Sequence, residues 1–302
     1  MTEPPQDPTP AQTPFVDTGI AASRVTADLA ALTHAGSRPN HEDAFAVFRL
    51  GRYLECVTSS LPADDLPRRQ DEAGHLLMVG DGIGGTAGGE VASRTAMQAM
   101  VEAVMRAPRW ALKLDDPNTR ESEIQGLMAR TRGYLQYMHA VIRERQQADP
   151  ALARMGTTMT MAYAVGGDLF IMHVGDSRAY VLRGGRFIRI THDHTVAQAY
   201  ADQGRLGQDE VAEHPLSHVL TRAVGGPGES IEGDTHHRDI EDGDRLVLCS
   251  DGLTTVATED EIAAALAAQP TSAAACRALV DLALARGAPD NVTVIVAGYT
   301  VR

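Results

Sequence analysis

The chain has 302 residues, of which 43% are hydrophobic and 22% charged, a composition typical of soluble globular proteins. Its 40 acidic side chains outnumber 27 basic ones and give a formal net charge of -13. This balance argues against nucleic-acid binding, which needs a basic surface, and against attachment to an anionic membrane.

The first residues lack the basic start and apolar core of a signal peptide, and no stretch approaches the roughly 20 apolar residues of a membrane helix. The 3 cysteines are odd in number and show no CxxC spacing, which favours free thiols in a reducing compartment. We therefore expect a cytoplasmic protein.

Residues 1–20 hold several prolines among polar residues and are predicted to form a disordered tail ahead of one domain, residues 21–302. Apolar runs predict strands near 24–32, 44–50 and 75–79, with a loop rich in Asp, Pro and Arg at about 58–73. Apolar residues at helical spacing predict long helices at 91–105 and 121–147.

From residue 157 the apolar period changes to two, which predicts an antiparallel meander with strands near 158–163, 169–174, 178–182 and 186–190. Residues 191–239 are polar and broken by glycines, and they predict a surface subdomain. The last part predicts strand, helix, helix and strand at 245–250, 259–267, 272–285 and 291–301. Long helices among mainly antiparallel strands indicate an α+β sandwich with two central sheets.

Three aspartates stand at predicted strand ends: Asp81 and Asp251 each follow an apolar run and precede a glycine, and Asp290 opens the last strand. Crowded carboxylates raise one another's pKa, so a site that keeps them ionised needs a cation, and a hard divalent metal is the natural partner. An Asp-Gly pair is also the commonest hairpin turn. Since neither pair is followed by a partner strand, the turn is the weaker alternative.

Several short motifs, in order over about residues 22–300, together resemble the metal-dependent Ser/Thr protein phosphatase family, also called protein phosphatase 2C, in its bacterial form. They are Arg38-Pro39-Asn40-His41-Glu42-Asp43-Ala44, Asp81-Gly82-Ile83-Gly84-Gly85, Gly88 with Glu90, Ala92 and Ser93, Gly156-Thr157-Thr158, Gly175-Asp176-Ser177-Arg178, Thr191 with Asp193-His194, Leu220-Thr221-Arg222-Ala223-Val224-Gly225, Ser250-Asp251-Gly252-Leu253 and Asp290-Asn291-Val292-Thr293.

The resemblance implies a four-layer α-β-β-α sandwich with a two-metal centre at one rim of the sheets. It implies a ligand set of Glu42, Asp43, Asp81, the Gly82 carbonyl, Asp251 and Asp290, with Asp176 as a candidate for a third ion. Oxygen ligands of this kind select Mn²⁺ or Mg²⁺. Arg38 would bind the phosphate through its planar fork.

The activity implied is hydrolysis of phosphoserine and phosphothreonine in proteins by direct attack of a metal-bridging hydroxide, opposing a Ser/Thr kinase. A monomer is expected. Eukaryotic members carry a general-acid histidine where this chain has Ile83, so the proton donor has no assigned residue, and metal-bound water is the default. His41 is an alternative donor, although a lone histidine is more often structural.

The resemblance makes residues 191–239 a flap beside the site, where His218 and Arg222 would influence substrate choice. His192-Asp193-His194 has the composition of a metal motif but would mark the entry to the flap, and His236-His237 is predicted to be exposed. Two other functions stay open at this point. One is a pseudoenzyme that binds phosphoproteins without turnover, and the other is an enzyme restricted to one partner in a sigma-factor switch.

Overall fold

The computed structural model describes residues 25–55, 69–84, 88–106, 114 and 116–301, together with a two-residue strand at 15–16. Within this part of the chain, two antiparallel sheets stack face to face and helices cover both outer faces. The predicted α+β fold with α-β-β-α layers is therefore confirmed.

The first sheet has six strands and carries three helices on its outer face. In spatial order its strands are β1 (Phe15–Val16), β2 (Val25–His34), β13 (Val292–Val301), β12 (Arg245–Cys249), β9 (Arg178–Arg183) and β10 (Arg186–Arg189). Its helices are α4 (Asp251–Thr254), α5 (Glu259–Ala267) and α6 (Ser272–Ala285).

The second sheet has five strands and carries two long helices. In spatial order its strands are β11 (Asp234–Asp239), β8 (Asp168–Val174), β7 (Met159–Val165), β4 (Arg69–Gly80) and β3 (Ala44–Glu55). Its helices are α1 (Gly88–Met105) and α2 (Arg120–Ala148). The remaining elements are the strand pair β5 (Gly82–Ile83) and β6 (Gly156–Thr157), the short helix α3 (Val196–Asp202), and two 3-10 helices at Pro150–Leu152 and Gln208–Glu210. Among the described residues, no helix has both the length and the apolar character needed to cross a bilayer.

Strand β4 shows how the period of two builds the layers. Leu77 and Val79 are buried between the two sheets, whereas Leu76 and Met78 are buried against the helices. Successive side chains of a strand point to opposite faces, so a strand that is covered on both sides is apolar throughout. Packing on both faces fixes where the strand ends, and thereby where the following Asp81 is held.

Strand β3 continues to Glu55, beyond the predicted end at residue 50, because it pairs with β4 over its whole length. Three further boundaries differ from the sequence predictions. Strand β4 begins at Arg69, because it pairs with β3 as far as Glu55, so the predicted loop at 58–73 was wrong for its last residues; residues 56–68 lie outside the described part. In the predicted tail, Phe15–Val16 pairs with β2, and the rest of the tail lies outside the described residues.

The third difference concerns the last residues of the predicted flap. Residues 234–239 are β11, which pairs with β8 at the sheet edge, so the surface subdomain ends at about residue 233. Polar residues suit an edge strand because charge there discourages further strand pairing. His236 and His237 of this strand are partly buried, and the prediction that they are exposed was wrong; the Nε2 of His237 lies 2.6 Å from Oδ1 of Asp168.

Candidate metal centre

Four predicted aspartates lie together at one rim of the two sheets. Asp81 directly follows β4, Asp43 directly precedes β3, Asp251 begins α4 just after β12, and Asp290 lies shortly before β13. Their charges act on one another, since Asp251 and Asp290 both raise the pKa of Asp43. The structure therefore brings together carboxyl groups that come from both sheets.

Asp81 is anchored through its backbone on both sides. Its N–H donates to Oγ1 of Thr158 at 2.9 Å, and its carbonyl accepts from the Thr158 N–H at 2.8 Å and from Oγ1 of Thr157 at 2.9 Å. Burial raises the pKa of the Asp81 carboxyl well above its usual range, and the charges of Asp43 and Asp251 add to this effect. Such a group stays ionised only beside a cation.

Asp43 has one satisfied and one unsatisfied oxygen. Its Oδ2 accepts hydrogen bonds from the hydroxyls of Ser250 at 2.7 Å and Thr293 at 2.6 Å. Its Oδ1 is buried without a hydrogen-bond partner in the described part of the chain. Burial raises the pKa of Asp43 to about 7, although the two hydroxyl bonds act in the opposite direction.

Asp251 shares one feature with Asp43, because its Oδ1 is also buried without a hydrogen-bond partner among the described residues. Its Oδ2 lies 3.6 Å from Nδ1 of His218, and this contact raises the pKa of the imidazole. The possible ligand atoms of Asp176, His218 and Asp251 all lie within 4.8 Å of one another. Burial, followed by the charge of Asp251, raises the pKa of Asp176 well above its usual range.

Glu42 and Gly82 are joined through their backbones. The Gly82 N–H donates to the Glu42 carbonyl at 3.2 Å, and the Glu42 N–H donates to Oδ1 of Asn291 at 2.7 Å. A Cβ atom at residue 82 would lie 2.1 Å from the Gly89 carbonyl oxygen, so close packing also requires glycine here. Burial raises the pKa of the Glu42 carboxyl, and nearby Arg38 lowers it.

Arg38 stands at the edge of the carboxyl cluster. Its Nη2 donates to Oδ2 of Asp290 at 2.6 Å, and its Nε donates to the Pro289 carbonyl at 3.1 Å. The side chain is nevertheless 56% exposed. A guanidinium carries five N–H donors, so donors remain for a ligand.

The two predicted flap residues take different positions. His218 reaches Asp251, as described above, whereas Arg222 lies at the base of the flap, with its Nη1 3.4 Å from Oδ1 of Asp234 and 3.3 Å from Nε2 of His194. The sequence therefore predicted His218 as a substrate-selecting residue but did not place it beside the aspartates.

The segment His192-Asp193-His194 is held by ion pairs. Both Arg178 and Arg189 contact the Asp193 carboxylate, with the Nη2 of Arg178 at 2.7 Å from Oδ2, and they lower its pKa despite burial. These two ion pairs compensate the buried charge of Asp193, so no metal ion is needed to account for it.

Sequence reasoning missed the residues that hold the aspartates and their neighbours in place. Ser250 and Thr293 bind Asp43, and Asn291 donates to the carbonyls of Ala35 at 2.8 Å and Asn40 at 2.9 Å. These residues stand in the quoted motifs next to Asp251 and Asp290. Only that adjacency hinted at a role, since their partners are far away in sequence.

The donors of this centre fit hard divalent cations. Buried carboxylate oxygens are costly unless they are paired or coordinate a metal, and Asp43 and Asp251 each have one such oxygen. Carboxylate and carbonyl oxygens are the ligands that Mn²⁺ and Mg²⁺ prefer. A cation would also offset the burial and the mutual repulsion that raise the pKa values of Asp43, Asp81 and Asp176.

A family model described as protein phosphatase 2C matches residues 55–285. The serine/threonine protein phosphatase PstP of Mycobacterium tuberculosis is 36% identical over 222 residues, which are 74% of this chain but 40% of that protein. The serine/threonine phosphatase stp of Listeria monocytogenes is 30% identical over 220 residues, which are 73% of this chain and 82% of that protein.

Solved structures agree with these matches. A crystal structure of the PstP catalytic domain in complex with two manganese ions has a TM-score of 0.69 and 31% identity, with 91% of this chain and 99% of that chain covered. The serine/threonine phosphatase of S. agalactiae has a TM-score of 0.73 and 27% identity, with 91% and 100% covered.

Proposed function

Because this chain belongs to the protein phosphatase 2C family, we propose that it hydrolyses phosphoserine and phosphothreonine in proteins with the help of bound metal ions. The observation that carries the proposal is the carboxyl cluster at the rim, with buried oxygens of Asp43 and Asp251 that lack partners in the described chain. The relatives' names and the two manganese ions of the PstP structure support the same class of enzyme.

Two ions, Mn²⁺ or Mg²⁺, would be held by the residues that carry these oxygens and by their neighbours, and a third ion would be held by Asp176. The proposed ligands of the two ions are Glu42, Asp43, Asp81, the Gly82 carbonyl, Asp251 and Asp290. When bound, such ions supply an activated water as nucleophile and stabilise the charge that develops on the phosphate.

Arg38 would capture and orient the phosphate. Its contacts with Asp290 and the Pro289 carbonyl hold the guanidinium at the edge of the centre, and more than half of the side chain is exposed to solvent. A planar fork can bind two phosphate oxygens at once, which a lysine cannot do. The residue thus fixes which face of the phosphate meets the carboxyl cluster.

Substrates would be phosphorylated proteins that a Ser/Thr kinase produces, so the enzyme would oppose that kinase. The flap, residues 191–233, would select among them, because it lies beside the centre through His218 while contributing none of the proposed ligands of the two ions. We propose that the protein acts as a monomer in the cytoplasm.

The test compares hydrolysis of p-nitrophenyl phosphate and of a phosphothreonine peptide by the metal-free chain with and without added Mn²⁺. Activity should require the metal and vanish with a chelator. Asp251→Asn should lose most turnover and most Mn²⁺ affinity in calorimetry, while Asp281→Asn, an exposed aspartate of α6, should match the parent. Full activity in chelator would refute the proposal. Mn²⁺ binding without turnover of either substrate would instead support the phosphoprotein-binding alternative.

A further inference from the structure

A row of hydrogen bonds joins His41 to Asp43 through two threonine side chains. The Nε2 of His41 lies 2.8 Å from Oγ1 of Thr33, which lies 2.7 Å from Oγ1 of Thr293, which in turn lies 2.6 Å from Oδ2 of Asp43. Thr33 and Thr293 are directly opposite each other on β2 and β13. The row therefore joins two neighbouring strands of the first sheet and ends on an aspartate that precedes a strand of the second sheet.

When Asp43 is ionised, the direction of every bond in this row follows from the number of protons available. An ionised carboxylate only accepts, so Thr293 donates its single hydroxyl proton to Asp43. Thr293 must then accept from Thr33, and Thr33, having used its own proton, must accept from the Nε2–H of His41. All the bonds point toward Asp43, an arrangement in which each bond polarises and strengthens the next.

The row ends on the one oxygen of Asp43 that is already satisfied. Oδ2 accepts from Thr293 and from Ser250, and the Ser250 hydroxyl itself accepts from the Thr293 N–H at 3.0 Å. Thr293 thus acts on the carboxylate twice, directly and through Ser250. The other oxygen, Oδ1, is buried without a hydrogen-bond partner among the described residues.

We propose that Thr293 is a positioning residue: supported by Thr33 and His41, it holds the Asp43 carboxylate with Oδ2 locked in place and Oδ1 presented to the metal ions. This inference rests on the proposed function. The β-branched threonine has few side-chain rotamers, and its place in a buried strand leaves the hydroxyl little freedom. The orientation of Asp43 is therefore set before any ion binds.

The test replaces the Thr293 hydroxyl without changing the shape of the side chain. Thr293→Val should weaken Mn²⁺ binding, measured by calorimetry on the metal-free chain, by about 10–100-fold, the usual effect of removing a group that orients a ligand. Thr293→Ser keeps the hydroxyl and should restore most of the affinity. Thr131→Val is the matched control, because that buried hydroxyl donates to the Leu127 carbonyl within α2 and, among the described residues, to no group of the metal centre.

Thr33→Val removes the hydrogen bond from Thr33 to Thr293 but leaves Thr293 able to donate to Asp43. It should therefore weaken Mn²⁺ binding less than Thr293→Val does, by under about tenfold. If Thr293→Val does not fold, Ser250→Ala tests the same locking of Oδ2 and should also lose affinity. Parental Mn²⁺ affinity in a folded Thr293→Val or Ser250→Ala protein, or failure of Thr293→Ser to restore binding, would overturn the inference. Failure of the proposed function is distinguishable, since the parent itself would then bind no Mn²⁺ or hydrolyse no substrate.

Discussion

In the metal-free protein, the carboxyl cluster should make a contribution to stability that is lost as the pH rises. The pKa of Asp43 is about 7 in the folded protein against an ordinary value of 3.8, chiefly because the group is buried. A carboxyl group with a raised pKa binds its proton more tightly in the folded than in the unfolded chain. Its contribution therefore favours folding below pH about 4 and is lost as the pH rises through about 7.

The magnitude follows from the linkage relation. Between the two pKa values, one proton held only by the folded state changes the free energy of unfolding by about 1.4 kcal/mol for each pH step of one. From pH of about 5.5 to about 8, Asp43 alone should lower the free energy of unfolding by about 2 kcal/mol. Asp81 acts in the same direction, because its pKa is also raised.

Urea unfolding of the metal-free chain at a series of pH values measures this effect. Asp43→Asn removes the ionisable group and should remove this contribution from the pH dependence of the free energy of unfolding, whereas Asp281→Asn, at an exposed position, should keep the pH dependence of the parent. Added Mn²⁺ should restore stability at the alkaline end, since cations replace the protons. A pH dependence that is the same in Asp43→Asn as in the parent would refute the reasoning.

Four further outcomes are expected. Arg38→Ala should weaken phosphate recognition by about 1.5–3 kcal/mol, or about 10–100-fold in kcat/KM. Arg38→Lys should recover only part of this loss, because lysine lacks the planar fork, and steady-state constants equal to those of the parent would contradict the prediction. Arg222→Ala, at the flap base, should change rates on phosphopeptides with little effect on p-nitrophenyl phosphate, and parallel losses would argue against a substrate-selecting flap. Asp176→Ala should impair turnover of both substrates while calorimetry still detects two bound ions. Gly252→Ala should lower the free energy of unfolding by about 1–3 kcal/mol, because its Cβ would lie 2.0 Å from the Asn291 carbonyl oxygen, and thermal denaturation would measure this.

The elements that the sequence predicted best are those whose ends are determined by nearby residues. Helices α5 and α6 begin and end where predicted, at Glu259–Ala267 and Ser272–Ala285, because each combines apolar residues at helical spacing with a threonine cap directly before it. Thr258 and Thr271 accept hydrogen bonds from N–H groups of the first turn. Such signals lie within a few residues of the boundary and need no distant partner.

The sequence predicted strand boundaries less well where they depend on hydrogen bonds to a neighbouring strand. The start of β4 and the whole of β11 are polar, and they are strands because β3 and β8 supply the hydrogen-bond ladder. A strand at a sheet edge or beyond the core is defined by its neighbour more than by its own composition.

The candidate site also has features that local sequence signals predict and features that depend on distant partners. Apolar runs that end in an aspartate, and the order of the motifs, were enough to predict Asp81, Asp251 and Asp290 as one group from the sequence alone. The sequence did not reveal that Ser250 and Thr293 hold Asp43, since these contacts join residues 207 and 250 positions apart. Residue type and local pattern determine which groups can do chemistry. Only the stacking of the two sheets determines which oxygen of Asp43 accepts hydrogen bonds and which has no partner in the described part of the chain.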